Sequence, residues 1–561
     1  MMFFLDIEFQ KETGSLPVPL LAVMQTLESD EYLRFDLKNA PDIQRLKSLL
    51  SDDVTLCAYY LPAEISCLMA LDIKVPNKLL DLFVEYRWLR NGVALRFSLL
   101  EAASYFGIHT ISEEEKKRLR QIAIDGPRTS EEMEELFDYC QEDVRVLKAI
   151  YLKMQNKIDL KRALYRGQYM HSISKVEFTG VPLDMDLYNL LQINWKRIRS
   201  ALIERFDNEF GFYNEKGVFK MKRFEEYLLQ NDIRWPRIIE TGNLKLDDQT
   251  FRDQCKIYPQ LEPIRQLRDI LGQMRLNGLE IGPNGRNCTS LGPFGSKTSR
   301  NQPSSKKFIF GSAAWLRRLV RAEEGKALVY LDYEQQEFGI AAKLSGDPNM
   351  LKAYRSSDPY LTFGKLCGVL PQNANKVTHG KERDALKACV LGVQFGMGAA
   401  TISTRIVSKK MTGKDVLELH KKTFPTYWDW SERYYNNALI RGEAKTSFGW
   451  RITVNSKSNE RSIKNFPMQA HGAEMLRFAC ILLDAAGIKV CATIHDAVVI
   501  EVSIEELNEV TLKAKEILKI ASEIILPGFP LRADAKAFIH PKHYEDARGK
   551  EIWEVINEII N

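Results

Sequence analysis

Two apolar segments in the C-terminal half of the chain each carry an aspartate, one at its end and the other in its middle. The first, ALVYL over 327–331, ends at Asp332 and is followed by a polar cluster. The second, over 490–501, carries His495 and Asp496 between the runs VCATI and AVVIE. Apolar runs of this length, free of breakers, predict buried strands, and the second pair predicts a hairpin with the aspartate at its tip.

These two aspartates are the first candidates for a metal site. A carboxylate at the end of a buried strand is costly unless a cation or hydrogen-bond donors receive it. Two such strands could hold a pair of divalent ions between Asp332 and Asp496, and oxygen ligands with phosphate substrates suit Mg²⁺. The alternative for either residue alone is an aspartate that begins a turn.

A helical pattern over 378–398 lies between the two aspartates. One stripe is apolar and predicts the side that faces a core: Leu386, Val390, Val393 and Met397. A neighbouring stripe carries two cations, a leucine and an aromatic ring at intervals of four: Arg383, Lys387, Leu391 and Phe395. Cations suit a triphosphate and an aromatic ring suits a stacked base, whereas the alternative is an exposed basic helix face.

A second set of carboxylates is predicted near the N-terminus. Residues 3–9 alternate as a strand, which places Asp6 and Glu8 on one face. Residues 17–35 suit two further strands of the same sheet. A helical pattern over 131–154 carries two polar residues on one face at i and i+4: Tyr139 and Asp143. Either pair alone is a weak signal, because solvated acids are common on such elements.

Three further segments carry weaker patterns. Amphipathic helical patterns run from Leu190 to about Gln230 and from Leu261 to Leu276, and they predict helices, for which a plain bundle is one arrangement. Residues 284–311 are basic, poor in acids and rich in small residues, which suits close approach to a phosphate backbone. A later helical pattern carries a polar stripe opposite an apolar face, at Arg461, Asn465 and Gln469. The tail to Asn561 is predicted to be helical and charged.

Composition places the chain among globular proteins of three or four domains. The 561 residues are 45% hydrophobic and 27% charged, and the net charge is +5, which permits nucleic-acid binding without requiring it. Nine cysteines without a CxxC pair argue against a structural zinc site. We find no secretory leader and no apolar span long enough for a membrane, so we expect no membrane partner and a cytoplasmic location.

Together these patterns resemble family A (polymerase I-type) DNA polymerases. DYEQQE from Asp332 resembles motif A, DYSQIE; HDA from His495 resembles motif C, HDE; and the helix from Arg383 resembles motif B, R-x3-K-x7-[YF]-G. The resemblance implies a template-directed DNA polymerase that extends a primer 3′ end by two-metal nucleotidyl transfer, with primer–template DNA and dNTPs as partners. It also implies two Mg²⁺ ions, with Mn²⁺ as an alternative, held by Asp332, Tyr333 and Asp496.

The resemblance assigns further contacts to the nucleotide and the DNA. Arg383 and Lys387 would bind the triphosphate, and Phe395 would pack on the incoming base. Glu337 would exclude a ribose 2′-OH, and Leu391 would favour discrimination against chain terminators. The residues implied for DNA are Arg300, where the family has its TGR element, then Arg461, Asn465, Gln469 and His495.

Two positions depart from the family pattern. Phe395 lacks the hydroxyl that a tyrosine would offer to Glu337, so we expect Glu337 to use water or another donor. Ala497 stands where the family has an auxiliary glutamate. One fewer carboxylate near the metals leads us to expect altered metal preference or primer-end handling, not inactivity.

The N-terminal carboxylates resemble the Exo I and Exo III motifs of DEDDy-type 3′–5′ exonucleases. The resemblance implies metal-binding acids and a tyrosine that positions the attacking water, and the catalytic residues are then Asp6, Glu8, Tyr139 and Asp143. The family's Exo II motif, an Asp a few residues after an Asn, has no counterpart in 57–71. Glu64 is the first candidate for the missing metal ligand and Asp81 is the second. We therefore expect a proofreading exonuclease with one atypical motif.

The implied fold is an α/β and α+β multidomain architecture, with an RNase H-like exonuclease domain followed by a right-hand polymerase. We place the exonuclease domain at 1–155 and the polymerase domain at 156–561. Within the polymerase we expect the thumb at about 190–280, the fingers at about 346–445, and the palm at about 160–189, 281–345 and 446–561. No stretch precedes the exonuclease region for a separate 5′ nuclease. That layout resembles a bacteriophage replicative enzyme, which would act in the host cytoplasm as a monomer beside other replication proteins.

Two rival functions are compatible with parts of the sequence. A single-subunit RNA polymerase shares the order of the three polymerase motifs, but the exonuclease motifs and Glu337 argue against it. A non-catalytic DNA-binding protein with a decayed polymerase fold is the other rival. The presence of Asp332 and Asp496 together with Arg383 and Lys387 argues against decay.

Overall fold

The computed structural model describes residues 1–12, 14–214, 216–238, 240–274, 276–356, 358–403 and 412–560. The chain forms two compact units. The first comprises Met1–Thr179, Leu291–Gln302 and Val329–Ala537, and the second comprises Gly180–Ser290, Pro303–Leu328 and Phe538–Asn561. Among the described residues, no helix combines the length and the apolar character that crossing a membrane requires.

The first unit begins with a five-stranded sheet of order β3-β2-β1-β4-β5. Its strands are β1 (Met2–Gln10), β2 (Val18–Thr26), β3 (Tyr32–Asp36), β4 (Thr55–Ala58) and β5 (Lys78–Asp81). The first strand, β1, pairs antiparallel with β2 and parallel with β4. The strand predicted over 3–9 is thus confirmed as β1, and the two strands predicted after it are β2 and β3.

Helices cover this sheet and complete its core. They are α1 (Ala40–Leu49), α2 (Pro62–Ala70), α3 (Leu82–Arg90), α4 (Leu99–Phe106), α5 (Glu113–Asp125), α6 (Ser130–Met154) and α7 (Leu160–Thr179). The helix predicted over 131–154 is confirmed as α6. Its apolar side, which includes Leu136, Val144 and Leu147, is buried in the core beside β1 and β2. This packing brings the polar positions of α6 to the carboxylates of β1.

The second unit contains β6 (Val181–Pro182), β7 (Arg286–Asn287), α8 (Met185–Asp207), α9 (Met221–Gln230), α10 (Asp248–Ile257) and α11 (Glu262–Gln273). The helical pattern predicted from Leu190 to about Gln230 is therefore wrong between α8 and α9. There the carboxylate of Asp207 accepts hydrogen bonds from the amides of Phe212 and Tyr213, which stabilises a turn. The ring of Phe212 packs on Phe224 instead of continuing a helical face.

A second sheet, most of whose residues belong to the first unit, has the order β11-β12-β8-β13. Its strands are β8 (Lys326–Tyr333), β11 (Val490–Ile494), β12 (Ala497–Ser503) and β13 (Ala533–Ile539), and the short pair β9 (Glu443–Lys445) and β10 (Arg451–Thr453) lies elsewhere in the same unit. The predicted strand before Asp332 and the predicted hairpin are confirmed as β8 and β11–β12. The strand β13 was missed, because an edge strand with sequence ADAKAFI has no apolar run.

Two of the remaining helices carry the other predicted stripes. They are α12 (Gln336–Ser345), α13 (Pro348–Arg355), α14 (Pro359–Leu366), α15 (Gly380–Gln394), α16 (Ala399–Ser403), α17 (Gly413–Thr423), α18 (Pro425–Arg441), α19 (Glu460–Ala485), α20 (Leu507–Ile525) and α21 (Lys550–Ile560). The helix predicted within 378–398 is α15, and its stripe residues Leu386, Val390 and Val393 are buried as expected. The helix predicted after Arg461 is α19.

Candidate active sites

Two neighbouring strands of the second sheet bring Asp332 and Asp496 to one cavity. Asp332 is the last residue but one of β8, and Asp496 immediately precedes β12, the strand beside β8. The hairpin turn is tight: Ile494 pairs with Ala497, and His495 has φ of 57°, in the left-handed region. Both aspartates line a cavity of about 700 Å³, which we call the palm-sheet cavity.

The palm-sheet cavity is electrostatically unfavourable for two bare carboxylates. Burial, followed by the negative charge of Asp496, raises the pKa of Asp332 to about 7, while Lys387 opposes the shift. Burial also raises the pKa of Asp496. The Oδ1 atom of Asp332 is buried without a hydrogen-bond partner. A buried carboxylate oxygen without a donor is costly, so this geometry fits a divalent cation between the two residues.

Several predicted nucleotide and DNA contacts also line the palm-sheet cavity: Glu337, Lys387, Leu391, Arg300 and His495. Glu337 lies in the first turn of α12, and the guanidinium of Arg300 donates to its Oε1 atom at 2.7 Å. Burial raises the pKa of Glu337, and Arg300 opposes that shift. The donor that was expected to replace a tyrosine hydroxyl at Glu337 is therefore Arg300. In this structure that arginine is committed to a protein carboxylate.

A residue that sequence reasoning missed holds in place the loop that contains Ser299 and Arg300, which we call the Arg300 loop. Arg477, on α19, donates to the carbonyl oxygen of Ser299 at 3.0 Å and to its hydroxyl at 3.1 Å. Ser299 is fully buried with φ of 61°, and Arg477 is 2% exposed with its guanidinium 4.7 Å from the centre of the Phe294 ring. A signal was present, since an arginine within the apolar run of α19 needs a buried partner.

Two members of the α15 stripe, both within the described part of the chain, lie outside the palm-sheet cavity. The Nε atom of Arg383 donates to the carboxylate of Asp358 at 2.7 Å, and its guanidinium lies 5.2 Å from the centre of the Tyr360 ring. Phe395 follows the last residue of α15 and is 38% exposed. The stripe is therefore divided: Lys387 and Leu391 face the two aspartates, whereas Arg383 and Phe395 do not.

The polar stripe of α19 lies partly at a separate recess. Arg461 and Asn465 line a cavity of about 570 Å³ that also contains Gly396, the residue after Phe395. Gln469 lies one turn further along α19 and is half-buried. Tyr333 lines the palm-sheet cavity, but its hydroxyl donates to the carbonyl of Leu518 at 2.7 Å. The hydroxyl of Tyr333 is therefore occupied, and of this residue only the main chain is placed to contact a metal.

The second candidate site lies where β1 meets α6. Carboxylate oxygens of Asp6, Glu8 and Asp143 lie within 4.8 Å of one another. With Glu64 and Tyr139 they line a cavity of about 1000 Å³, which we call the N-terminal cavity. Burial, then the charge of Asp143, raises the pKa of Asp6 to about 7, and burial also raises the pKa values of Glu8, Glu64 and Asp143.

The structure distinguishes between Glu64 and Asp81 as the fourth carboxylate of the N-terminal cavity. Glu64 projects from the first turn of α2, is 3% exposed, and keeps its Oε2 atom without a hydrogen-bond partner, as does Oδ2 of Asp6. Asp81 instead caps α3: its carboxylate accepts from the amides of Leu61 and Val84 at 2.8 and 3.1 Å. The unpartnered oxygens of Asp6 and Glu64 fit a divalent cation, and Asp81 is occupied elsewhere.

Comparison with known proteins relates the C-terminal segment to a known family. Residues 307–537 match the sequence model described as DNA polymerase family A. This segment is therefore similar to DNA polymerase family A. It contains both aspartates of the palm-sheet cavity, and Glu337 and Lys387 as well. The Arg300 loop and the whole N-terminal cavity lie outside the matched segment.

Curated relatives include several proteins named DNA polymerase I. DNA polymerase I of Aquifex aeolicus is 24% identical over 440 residues, which cover 71% of this chain and 74% of that protein. The thermostable DNA polymerase I of Thermus thermophilus is 28% identical over 389 residues, which cover 63% of this chain and 45% of that protein. The chain thus spans about three quarters of the first relative's length and under half of the second's.

A solved structure extends the likeness over nearly the whole chain. The POL domain of Pol1 from M. smegmatis, in complex with DNA primer-template and dNTP, matches with a TM-score of 0.75 and 17% identity. The match covers 95% of this chain and 94% of that one. At this identity the likeness shows the fold: a mixed α/β polymerase fold of the family A type.

Proposed function

We propose that the chain is a DNA-dependent DNA polymerase that extends a primer 3′ end under the direction of a template. The observation that carries the proposal is the placement of Asp332 and Asp496 in one cavity, where a buried oxygen of Asp332 has no protein donor. The family A match over 307–537 and the relatives named DNA polymerase I support this reaction. The structural relative, solved with primer-template and dNTP, supports DNA and nucleotides as partners.

The metal chemistry belongs to the palm-sheet cavity. Asp332, Asp496 and the main chain at Tyr333 would hold two Mg²⁺ ions, with Mn²⁺ as an alternative. Such ions, when bound, lower the pKa of a primer 3′-OH and neutralise charge on the leaving pyrophosphate. The two carboxylates would then be ionised at neutral pH, because the cations offset the burial and the repulsion from Asp496 that raise the pKa of Asp332.

The α15 stripe would receive the triphosphate in two stages. Lys387 already faces the palm-sheet cavity and would neutralise phosphate oxygens there. Arg383 lies one turn earlier and is held by Asp358, so it would reach a triphosphate only when α15 moves and that ion pair opens. Phe395 would pack on the incoming base after the same movement. Closure of one helix on a correct nucleotide would thus complete the site.

The Arg300–Glu337 pair would set the choice of sugar. Glu337 projects into the palm-sheet cavity beside the aspartates, and Arg300 fixes its position. A carboxylate held there would clash with a ribose 2′-OH, which favours dNTPs over rNTPs. This arrangement argues against the rival RNA polymerase. His495 beside the aspartates, and the α19 stripe of Arg461, Asn465 and Gln469, would contact the primer–template.

We assign the proposed 3′–5′ proofreading activity to the residues of the N-terminal cavity. Asp6, Glu8, Asp143 and the atypical Glu64 would hold the metal, and their buried, partly unpartnered oxygens fit that role. Tyr139 is buried in the same cavity and would orient the attacking water. In domain terms we assign 1–155 to the exonuclease, with thumb, palm and fingers at the bounds given above. A bacteriophage source, a cytoplasmic location, a monomeric state and replication partners stay predictions from the sequence.

A primer-extension assay with Mg²⁺ tests both activities. With dNTPs we expect extension of a matched primer, and without dNTPs we expect shortening of matched and, faster, of mismatched ends. Efficient extension with rNTPs in place of dNTPs would favour the RNA polymerase. Extension without shortening would mean that the N-terminal cavity is an inactive nuclease. Neither activity would favour a non-catalytic DNA-binding protein.

A further inference from the structure

Lys116 places its ammonium group in the N-terminal cavity, and the proposed chemistry does not use this residue. Its Nζ atom donates to both carboxylate oxygens of Asp143, at 2.9 and 2.7 Å. It also lies 5.3 Å from the centre of the Tyr139 ring. The side chains of Lys116 and Asp143 are only 19% and 8% exposed, so solvent screens this pair less than a surface ion pair.

The register of α5 places Lys116 in the cavity. Ser112 caps the helix, and Leu119 and Ala123 are buried in the core beside α6. Lys116 precedes these residues by three and seven positions, so all three share one face of α5. The next residue, Lys117, lies on another face, is mostly exposed and pairs with Glu113. The core contacts of α5 therefore fix one lysine, and not its neighbour, beside Asp143.

Hydrogen bonding divides the carboxylates of the cavity into two groups, although oxygens of Asp6, Glu8 and Asp143 lie within 4.8 Å of one another. On one side, Asp143 is bonded through both oxygens to Lys116. On the other side, Oδ2 of Asp6 and Oε2 of Glu64 are buried with no hydrogen-bond partner. A divalent cation would gain most at the second group, where no protein donor competes. At Asp143 it would first have to displace a hydrogen-bonded ammonium.

We propose that Lys116 takes the place of one of the two divalent cations, so that the N-terminal cavity binds a single metal ion through Asp6, Glu8 and Glu64. The proposal rests on the proposed exonuclease function and refines its metal requirement. In phosphodiester hydrolysis, water adds to phosphorus, the P–O3′ bond breaks and the departing oxygen takes a proton. Lys116 would offset the negative charge of the phosphate and of Asp143 without leaving the cavity on dilution.

Counting bound Mn²⁺ tests this proposal without measuring catalysis. The full chain carries Asp332→Asn and Asp496→Asn, which remove the carboxylates of the palm-sheet cavity, and electron paramagnetic resonance reports free Mn²⁺ during titration. We expect one ion per chain in this background and two when Lys116→Met is added. Lys116→Arg keeps the charge and should keep one ion. Lys117→Met, the matched control, should also keep one.

The outcomes separate the role of Lys116 from the metal site itself. Two ions in the background, or an unchanged count in a folded Lys116→Met variant, would overturn the proposal. Lys116→Gln provides a second neutral variant should the Met variant fail to fold, as judged by circular dichroism. Asp6→Ala should abolish the remaining ion. A count that Asp6→Ala leaves unchanged would overturn the exonuclease metal site, whatever Lys116 does.

Discussion

The guanidinium of Arg300 lies 2.7 Å from Oε1 of Glu337 and ties the loop around Arg300 to α12. Both residues line the cavity that contains Asp332 and Asp496. The sequence predicted a DNA contact for Arg300 and a steric role for Glu337. The ion pair would make these two proposed roles dependent on each other, because a ligand that binds Arg300 would also change the carboxylate proposed to face the sugar.

Removal of the Glu337 side chain should relax sugar selection. We expect Glu337→Ala to raise the kcat/KM for an rNTP relative to the matching dNTP by about 100-fold, because the steric barrier to a 2′-OH is gone. Single-nucleotide incorporation kinetics measure this ratio. Glu337→Gln keeps the shape but loses the charge, so it should retain most discrimination. Equal relaxation in both variants would mean that the ion pair, and not the bulk of the side chain, selects the sugar.

Arg477 should be needed for the stability of the Arg300 loop. Arg477→Met removes two charge-assisted hydrogen bonds to Ser299 and leaves that buried serine without them. We expect a loss of about 1.5–3 kcal/mol in the free energy of unfolding, measured by urea titration. Arg477→Lys should lose less, since it keeps the charge. A Met variant as stable as the wild type would show that Ser299 finds other partners.

The metal-free protein should lose stability as pH rises towards neutrality. The pKa of Asp332 is about 7 in the fold against 3.8 for the ordinary group, so between about pH 4 and 7 the folded state holds a proton that the unfolded state has released. Folding therefore becomes less favourable across that window. Without metal, Asp332→Asn should be more stable than the wild type at pH 8, and the two should converge near pH 4.

The size of this effect is on the order of 1–2 kcal/mol, which allows for screening by solvent in the open cavity. Thermal melts with EDTA at several pH values measure it. Excess Mg²⁺ should reverse the order at pH 8, because only the wild type gains a full set of carboxylate ligands. A wild type that is the more stable protein in EDTA at pH 8 would contradict the account.

Glu64 and Asp81 should respond to substitution in opposite ways. Glu64→Gln keeps the shape of a buried side chain but weakens metal binding, so we expect shortening of a primer to slow by about 100-fold or more while extension is unchanged. Asp81→Ala removes the cap of α3 and should cost about 1–2 kcal/mol of stability with little effect on the rate per folded molecule. Reversed results would make Asp81 the metal ligand.

The elements that carry the aspartates were predictable because their signals are local. The run that ends at Asp332 and the hairpin around Asp496 are short apolar segments with a polar break, and β8 and β11–β12 follow them closely. The spacing of Asp6 and Glu8 predicted a shared face in the same way. Alternation and helical period set these positions before any tertiary contact forms.

The contacts that define the cavities were not predictable, because they join distant segments. Arg300 and Glu337 are 37 residues apart in the sequence, and Lys116 and Asp143 are 27 apart. These contacts depend on how distant segments pack together, and neither the spacing of residues along the chain nor secondary-structure propensity predicts that packing. The edge strand β13 was missed for a related reason: its place in the sheet is fixed by hydrogen bonds to β8 and not by its own hydrophobicity.

The most direct test of the central claim compares two aspartates of the same cavity. Asp496→Asn removes a proposed metal ligand, and Asp534→Asn makes the same chemical change at an exposed residue of the cavity wall. With Mg²⁺ and dNTPs, we expect single-nucleotide extension to fall on the order of 1,000-fold in Asp496→Asn and to stay near the wild-type rate in Asp534→Asn. Shortening without dNTPs should persist in both. Wild-type extension by Asp496→Asn would contradict the assignment of this cavity as the polymerase active site.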